Sequence, residues 1–396
     1  MATIRRMSTE EILEPLFRLT SYAFHPSPPF REEGDWAETI QERKDAIYFG
    51  MVEGETTVAV VASSPMTQQV RGSLYDTSAV WGVATDPAAR RKGYCRRLMG
   101  RLLAAHRDEG RPLSCLYPFR ASFYERLGYV KFPLPLRVTF DPALLAPLLE
   151  RDLGGEVERV LIGEGYDTYR AYTERLQRRI HGMGVFVHGE RKRAKRTNRS
   201  WLALAKVGGE IAGLMTYRLE GRDVTDFVMR APRFYYDTSQ ARYLLLEWVA
   251  RHVDQVSQVE LWLPPFERPE NWLADLHVSA ESPPRAPMGR VVNVAGLQGM
   301  ETGPGRFTAR IIDPLCPWNE RDGGAWRFET ADGRLRIGPA SQADCELAVQ
   351  ALAALIYGTH DPADFTFRDW GDPPAAVQAA MRSMFPQRWP YLHEYF

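Results

Sequence analysis

The sequence is short of cysteine, of net charge and of long apolar runs, and each shortage excludes something. Only four cysteines, Cys95, Cys115, Cys316 and Cys345, occur in 396 residues. None stands in C-x-x-C spacing, which argues against a disulfide framework and a zinc knuckle and suits a reducing compartment. The 50 basic and 50 acidic residues cancel, so no global field draws the chain to nucleic acid or an anionic membrane. No run approaches the roughly 18 apolar residues of a membrane span. The start, Met1-Ala2-Thr3-Ile4-Arg5-Arg6, leads into a charged segment and not an apolar signal. The expectation is a cytoplasmic protein of two to four domains.

What is present reads as an α+β chain in three parts. Ser8-Thr9-Glu10-Glu11 predicts a capping box, and Ile12, Leu16, Leu19 and Ala23 recur at helical spacing to about Phe24. A proline-rich loop over 25–35 precedes strand patterns at 46–52, 57–63, 66–73 and 78–85. A helix follows with Tyr94, Leu98, Leu102 and Ala105 on its buried face, then a strand at 113–117. A short helix over 120–127 is stopped by Gly128, and strands return at 129–132 and 136–140. The first domain is expected over 1–145. A second, over 146–287, repeats the order with a hairpin at Gly208-Gly209, a helix at 241–253 and a strand at 259–263. It offers no glycine at Arg233-Phe234-Tyr235-Tyr236-Asp237 and reads as a degenerate copy. Beyond Ser282-Pro283-Pro284-Arg285-Ala286-Pro287, a third α+β domain is expected over 288–396.

The most informative segment is Val83-Ala84-Thr85-Asp86-Pro87 followed by Arg90-Arg91-Lys92-Gly93-Tyr94-Cys95. A strand broken by Asp86-Pro87 and a helix opening at Gly93 leave backbone N–H groups unpaired beside basic side chains. Free amides and the helix dipole suit such a corner to a pyrophosphate. Some thirty residues on comes Phe123-Tyr124-Glu125-Arg126-Leu127-Gly128-Tyr129.

Together the two motifs resemble the acetyl-coenzyme A site of the GNAT acetyltransferases. Three details resemble the Eis-like (enhanced intracellular survival) members of that superfamily. They are Leu116-Tyr117-Pro118-Phe119-Arg120 running into the second motif, Gly289-Arg290-Val291-Val292-Asn293-Val294, and the aromatic end Glu394-Tyr395-Phe396. The resemblance implies tandem GNAT folds, each a mixed central sheet flanked by helices, followed by a sterol-carrier-protein-like domain. It implies a homo-oligomer, commonly a hexamer, that moves acetyl groups from acetyl-CoA to amines, aminoglycosides among them. Cys95 departs from the glycine or alanine at the end of the R-x-x-G-x-[GA] pattern.

Carried over residue by residue, the resemblance assigns the cosubstrate to Val83, Thr85, Arg90, Arg91, Gly93 and Tyr94. The strand backbone at Val83 and Thr85 would pair the pantetheine arm like an added strand, and the corner's amides would hold the pyrophosphate. Arg96 and Arg97 are candidates for the 3′-phosphate. Tyr124 would be the general acid on the departing thiolate, uphill by about 2 kcal/mol at ordinary pKa values. The Phe396 carboxylate would be the general base, short of an ammonium by roughly 5 to 6 pKa units unless burial narrows the gap. Tyr117 and Tyr129 read as packing residues. His25 reads as a loop histidine, and Glu32, Glu33, Asp35 and Trp36 as a loop with an acceptor-lining alternative. The basic run Arg191–Arg196 reads as a solvated face, and no spacing suggests a metal site. The expected activity is direct N-acetyl transfer to a primary amine of a small molecule or peptide. Protein lysines or polyamines are alternative acceptors, and a lipid-binding protein with a vestigial acetyltransferase site is the non-catalytic alternative.

Overall fold

The computed structural model describes residues 2–28, 34–43, 45–283, 285–320 and 324–396. In chain order, β1 (Thr3–Met7), α1 (Thr9–Phe24), α2 (Gly34–Gln41), β2 (Ile47–Glu53), β3 (Thr56–Val70) and β4 (Ser73–Thr85) come first. They are followed by α3 (Tyr94–Asp108), β5 (Leu113–Leu116), α4 (Ala121–Glu125) and β6 (Val130–Lys131). The middle holds β7 (Leu136–Phe140), β8 (Glu156–Leu161), α5 (Tyr166–Gln177), β9 (Gly184–Phe186), α6 (Arg191–Thr197), β10 (Trp201–Val207) and β11 (Glu210–Glu220). Then come β12 (Phe227–Tyr236), α7 (Ser239–Ala250), β13 (Val256–Leu263) and β14 (Ser279–Glu281). The last part holds β15 (Met288–Val291), β16 (Arg306–Ile312), β17 (Ala325–Ala331), β18 (Arg334–Ala340), β19 (Cys345–Ala348), α8 (Val349–Tyr357) and α9 (Ala375–Met384).

These elements form two compact units, one of 1–133, 177–188 and 285–396, the other of 134–176 and 189–284. The first unit carries a mixed sheet in the order β1-β2-β3-β4-β5-β15-β6, with β9 paired to β3. Period-two alternation dresses both of its faces. Phe49, Met51 and Val61 pack with Leu98, Met99 and Leu102 of α3, while Tyr48, Val52 and Val60 pack with Ile12, Leu16 and Leu19 of α1. Each such fully buried side chain contributes about 1.5–3 kcal/mol. The capping box at Ser8 forms, with Glu11 N–H on Ser8 Oγ at 3.2 Å and Ser8 N–H on Glu11 Oε2 at 2.8 Å. The strands read at 57–63 and 66–73 are one strand, β3, because Ser64 and Pro65 stay in register with Ala79 and Ser78 of β4. A four-stranded sheet, β18-β17-β16-β19, completes this unit with α8 and α9.

The second unit has the order β14-β7-β13-β12-β11-β10-β8. Its β12 and β13 are parallel and joined through α7, as β4 and β5 are parallel and joined through α3. The tandem GNAT-like repeat is therefore present. In each sheet, the strand next to the final one comes from a distant segment. The strand at 136–140 pairs with β13 of the second unit, and β15 pairs with β5 of the first. Local patterning finds such strands but gives no sign of which sheet they complete.

Candidate active site

β4 and β5 pair only from Thr77↔Leu113 to Val80↔Leu116. β4 runs on to Thr85, so its edge from Trp81 to Thr85 has no strand partner on that side among the described residues. Opposite β3, β4 carries an extra residue between Trp81 and Ala84, with Gly82 at φ +61°. A bulge of this kind bends the strand and re-aims its amides. Val83 lies in the bulge and Thr85 at the strand end, both half-buried. The free edge and the bulge leave main-chain groups that can pair with an extended ligand arm.

The corner that follows begins with a short turn at Pro87–Ala89, capped by Asp86 Oδ1 on the Ala88 N–H at 2.9 Å. Arg91 then takes φ +64° and Gly93 φ +77°. No side chain caps α3, so its first-turn amides face outward with the positive end of the dipole. A Cβ built on Gly93 meets no protein atom within 4 Å. Glycine is therefore favoured there by its φ and not by packing. Lys92 Nζ binds Glu53 Oε1 at 3.0 Å and the Tyr94 hydroxyl donates to the same carboxylate. These bonds, that of Tyr94 first, hold Glu53 below the usual carboxylate range. Arg90 is exposed, with its Nε 3.4 Å from the Thr85 carbonyl. The corner thus fits a pyrophosphate through backbone amides. Arg96 and Arg97 are exposed, with the Arg97 guanidinium 5.9 Å from the centre of the Tyr94 ring.

Tyr124 lies on α4, 3 % exposed, within a cluster of rings: Phe123 at 5.1 Å, Phe119 at 5.8 Å and Tyr129 at 6.1 Å. Among the described residues its hydroxyl has no hydrogen-bond partner, whereas that of Tyr129 meets Ser114 Oγ at 2.8 Å. Burial, then the nearby Cys95 and Tyr129, push its pKa well above the usual phenol value. Burial also pushes the thiols of Cys95 and Cys115 up to about 12, so neither is a ready nucleophile.

Three groups from the distant C-terminal segment grip the turn that ends α4. Gln350 Nε2 donates to the Glu125 carbonyl at 2.8 Å, Arg368 Nη2 binds the Glu125 carboxylate at 3.0 Å, and Arg290 donates to the Leu127 carbonyl. Arg290 is fully buried and paired with Asp313 at 2.6 Å. Gly128 follows at φ +92°, where a Cβ would run into this guanidinium. The same segment brings the chain end back to β5. The Phe396 ring stands 5.5 Å from Tyr117 and 5.8 Å from Phe186. Tyr124 thus lies on the helix that follows β5, and the Phe396 ring lies against Tyr117, the first residue beyond that strand.

Sequence reasoning missed Arg290, Gln350 and Arg368, whose partners lie far off in the chain. Tyr117, read as a packing residue, does pack against Tyr395 and Phe396, and its hydroxyl also donates to the Glu394 carbonyl at 3.1 Å, a bond the sequence did not signal. His25 ends α1, its N–H on the Ser21 carbonyl at 3.3 Å. Trp36 packs on Phe17 at 5.2 Å. Glu32, Glu33 and the side chain of Asp35 lie outside the described residues. In the second unit the matching helix start is closed, because Thr238 Oγ accepts the Ala241 N–H at 3.2 Å. That unit has lost the open corner. The run 191–196 forms α6, exposed, with Arg191 on Asp167 at 2.7 Å and Arg193 on Glu190 at 3.1 Å. Among the described residues no helix is long and apolar enough to cross a membrane, and no His, Cys, Asp or Glu group is placed to hold a metal ion.

Residues 3–132 match the family model of the acetyltransferase (GNAT) domain, and residues 297–393 that of the sterol carrier protein domain. No curated protein sequence matches the chain. Among solved structures it is similar to a GCN5-related N-acetyltransferase from Anabaena variabilis, at 15 % identity over the whole of both chains and a TM-score of 0.82. It is similar to another from Kribbella flavida, at 21 % identity over all of this chain and 98 % of that one, with a TM-score of 0.80. Eis1 from Mycobacterium abscessus is 17 % identical over the whole of both chains, with a TM-score of 0.79. Identities this low establish a shared fold. The chain thus carries a GNAT-type acetyltransferase domain and a sterol carrier protein domain, within a fold it shares over its whole length with these structures.

Proposed function

We propose that the chain is an acetyl-CoA-dependent N-acetyltransferase acting by direct transfer on primary amines, with aminoglycosides among the acceptors. The observation that carries this reading is the free edge of β4 leading into an uncapped α3 through Arg91 and Gly93 at positive φ. Acetyl-CoA supplies the activated acetyl thioester. Backbone at Val83 and Thr85 would hold the pantetheine arm, and amides from Arg90 to Tyr94 the pyrophosphate. The Phe396 carboxylate takes the proton that the amine gives up as its nitrogen bonds to the acetyl carbon. The carbon–sulfur bond breaks, and Tyr124 gives its proton to the sulfur. Burial ties that proton more tightly than in an exposed phenol. The partnerless hydroxyl is free to make this contact.

Of the alternatives, an acceptor that is a protein lysine or a polyamine uses the same chemistry. The lipid-carrier alternative draws less support. Phe307 and Phe328 stack at 4.9 Å on the inner face of the four-stranded sheet, in one buried cluster with Met381, Met384 and Phe385. The cytoplasmic location and the hexamer are part of the same proposal, and light scattering tests the latter. The decisive experiment is acetyl transfer to a panel of amines by the full-length protein and by Tyr124→Phe. Acetylated product that depends on Tyr124 is expected, and its absence from every amine would overturn the reading.

A further inference from the structure

The last three residues converge on one side chain. Tyr117, the first residue beyond β5, donates its hydroxyl to the Glu394 carbonyl at 3.1 Å. Its ring is tilted against Tyr395 at 4.8 Å and stands edge-on to Phe396 at 5.5 Å. Phe186 of β9 adds a backbone N–H on the Glu394 carboxylate at 3.4 Å and a ring contact with Phe396 at 5.8 Å. Upstream, the buried Arg71 binds the Pro386 carbonyl at 2.9 Å together with Leu355 and Ile356 at the end of α8. The Tyr391 N–H reaches the His181 carbonyl at 2.9 Å. Chain ends fray unless contacts offset the entropy of ordering them. Here the anchors continue to within two residues of the terminus, further than the burial of an apolar tail requires.

We infer that Tyr117 is a positioning residue, whose hydroxyl fixes the terminal carboxylate of Phe396 relative to the acyl site. This rests on the reading of that carboxylate as the base. Only two residues separate the Glu394 carbonyl from the carboxylate, so losing the bond frees the final peptides to swing while the rings still pack. A displacement of about 1 Å costs on the order of a hundredfold in rate. Tyr117→Phe therefore lowers kcat roughly 10- to 100-fold and leaves KM for acetyl-CoA within about twofold.

The test is a double-mutant cycle between Tyr117→Phe and deletion of Phe396, with carboxypeptidase release of Phe396 as a readout independent of activity. The inference expects Tyr117→Phe to slow the full-length enzyme, to add nothing once Phe396 is deleted, and to speed release of Phe396. An equal loss in both backgrounds, or an unchanged kcat in the full-length chain, overturns it. If deleting Phe396 alone leaves kcat at the wild-type value, the base assignment itself fails, a result separable from failure of the Tyr117 inference.

Discussion

Replacing Arg290 by Met separates what the C-terminal segment does for stability from what it does for α4. Arg290 and Asp313 are 0 % and 1 % exposed and meet at 2.6 Å. Removing the guanidinium strands a buried carboxylate, which costs about 3–5 kcal/mol. At roughly 2–4 °C per kcal/mol for a unit of this size, Tm falls by about 6–20 °C. A second change, Asp313→Asn, removes the stranded charge. Its single amide oxygen remains an acceptor for one of the two donors that now share the carboxylate, the Cys316 N–H at 3.2 Å from Oδ1 or Asn319 Nδ2 at 2.9 Å from Oδ2, and the other loses its bond. Part of the stability then returns in the double variant, less about 1–3 kcal/mol for the donor left unpaired. The bond from Arg290 to the Leu127 carbonyl does not return, and Leu127 closes the turn directly after the helix of Tyr124. Scanning fluorimetry is expected to show loss and partial recovery of Tm, while kcat for thiol release stays at least about tenfold low in both variants. A single variant as stable as the parent, or a double variant with full kcat, would refute the reasoning.

Other outcomes follow from the same geometry. Gly93→Ala raises KM for acetyl-CoA about tenfold or more and costs only ~1–2 kcal/mol of stability, because the penalty lies in the positive φ and not in a clash; an unchanged KM counts against the phosphate corner. Tyr124→Phe lowers kcat by about 10²–10⁴ with KM for acetyl-CoA unchanged. Since burial raises its pKa, Tyr124 stays protonated through neutral pH, and its ionisation is expected to leave no limb in the rate profile below about pH 10. Burial pushes His106 and His181 down to about 3. Both stay neutral in the folded chain while the unfolded chain takes up protons as pH falls below 6.5. Stability is full above that value and lost toward pH 3, by about 1.4 kcal/mol per pH unit for each histidine. Denaturant midpoints at pH 7 and pH 5 check this, with about 4 kcal/mol expected between them; equal stability would contradict it.

Much of the candidate site's local geometry was legible because its parts are contiguous in sequence. The strand, the Asp86-Pro87 break and the glycine-led helix start are contiguous, and each has a backbone signature of its own. The helix of Tyr124 and the stop at Gly128 were legible for the same reason. The capping box of α1 and the hairpin of the second unit needed no long-range information either. The assignment of β7 and β15 to their sheets was not legible, because each strand joins a sheet built from residues far away in sequence. The anchors were hidden for the same cause. Tyr117 and Glu394 are 277 residues apart, and Arg290 and Leu127 are 163 apart. Arg71 falls in the strand pattern read at 66–73, yet it sits in the turn after β3, fully buried, and donates to the end of α8. Nothing in the local pattern around such residues announces a partner that only the folded chain supplies.

The central claim is that residues 83–94, Tyr124 and the carboxylate of Phe396 form one acetyl-transfer site. Thiol release from acetyl-CoA, measured across aminoglycosides, polyamines, lysine peptides and a blank without amine, tests it most directly when product masses are recorded for the parent, Tyr124→Phe and the chain lacking Phe396. The account predicts amine-dependent release with one added acetyl mass per event, strongly reduced in both variants while acetyl-CoA still binds. Release no greater than the blank with every amine, or full activity in both variants, would contradict it.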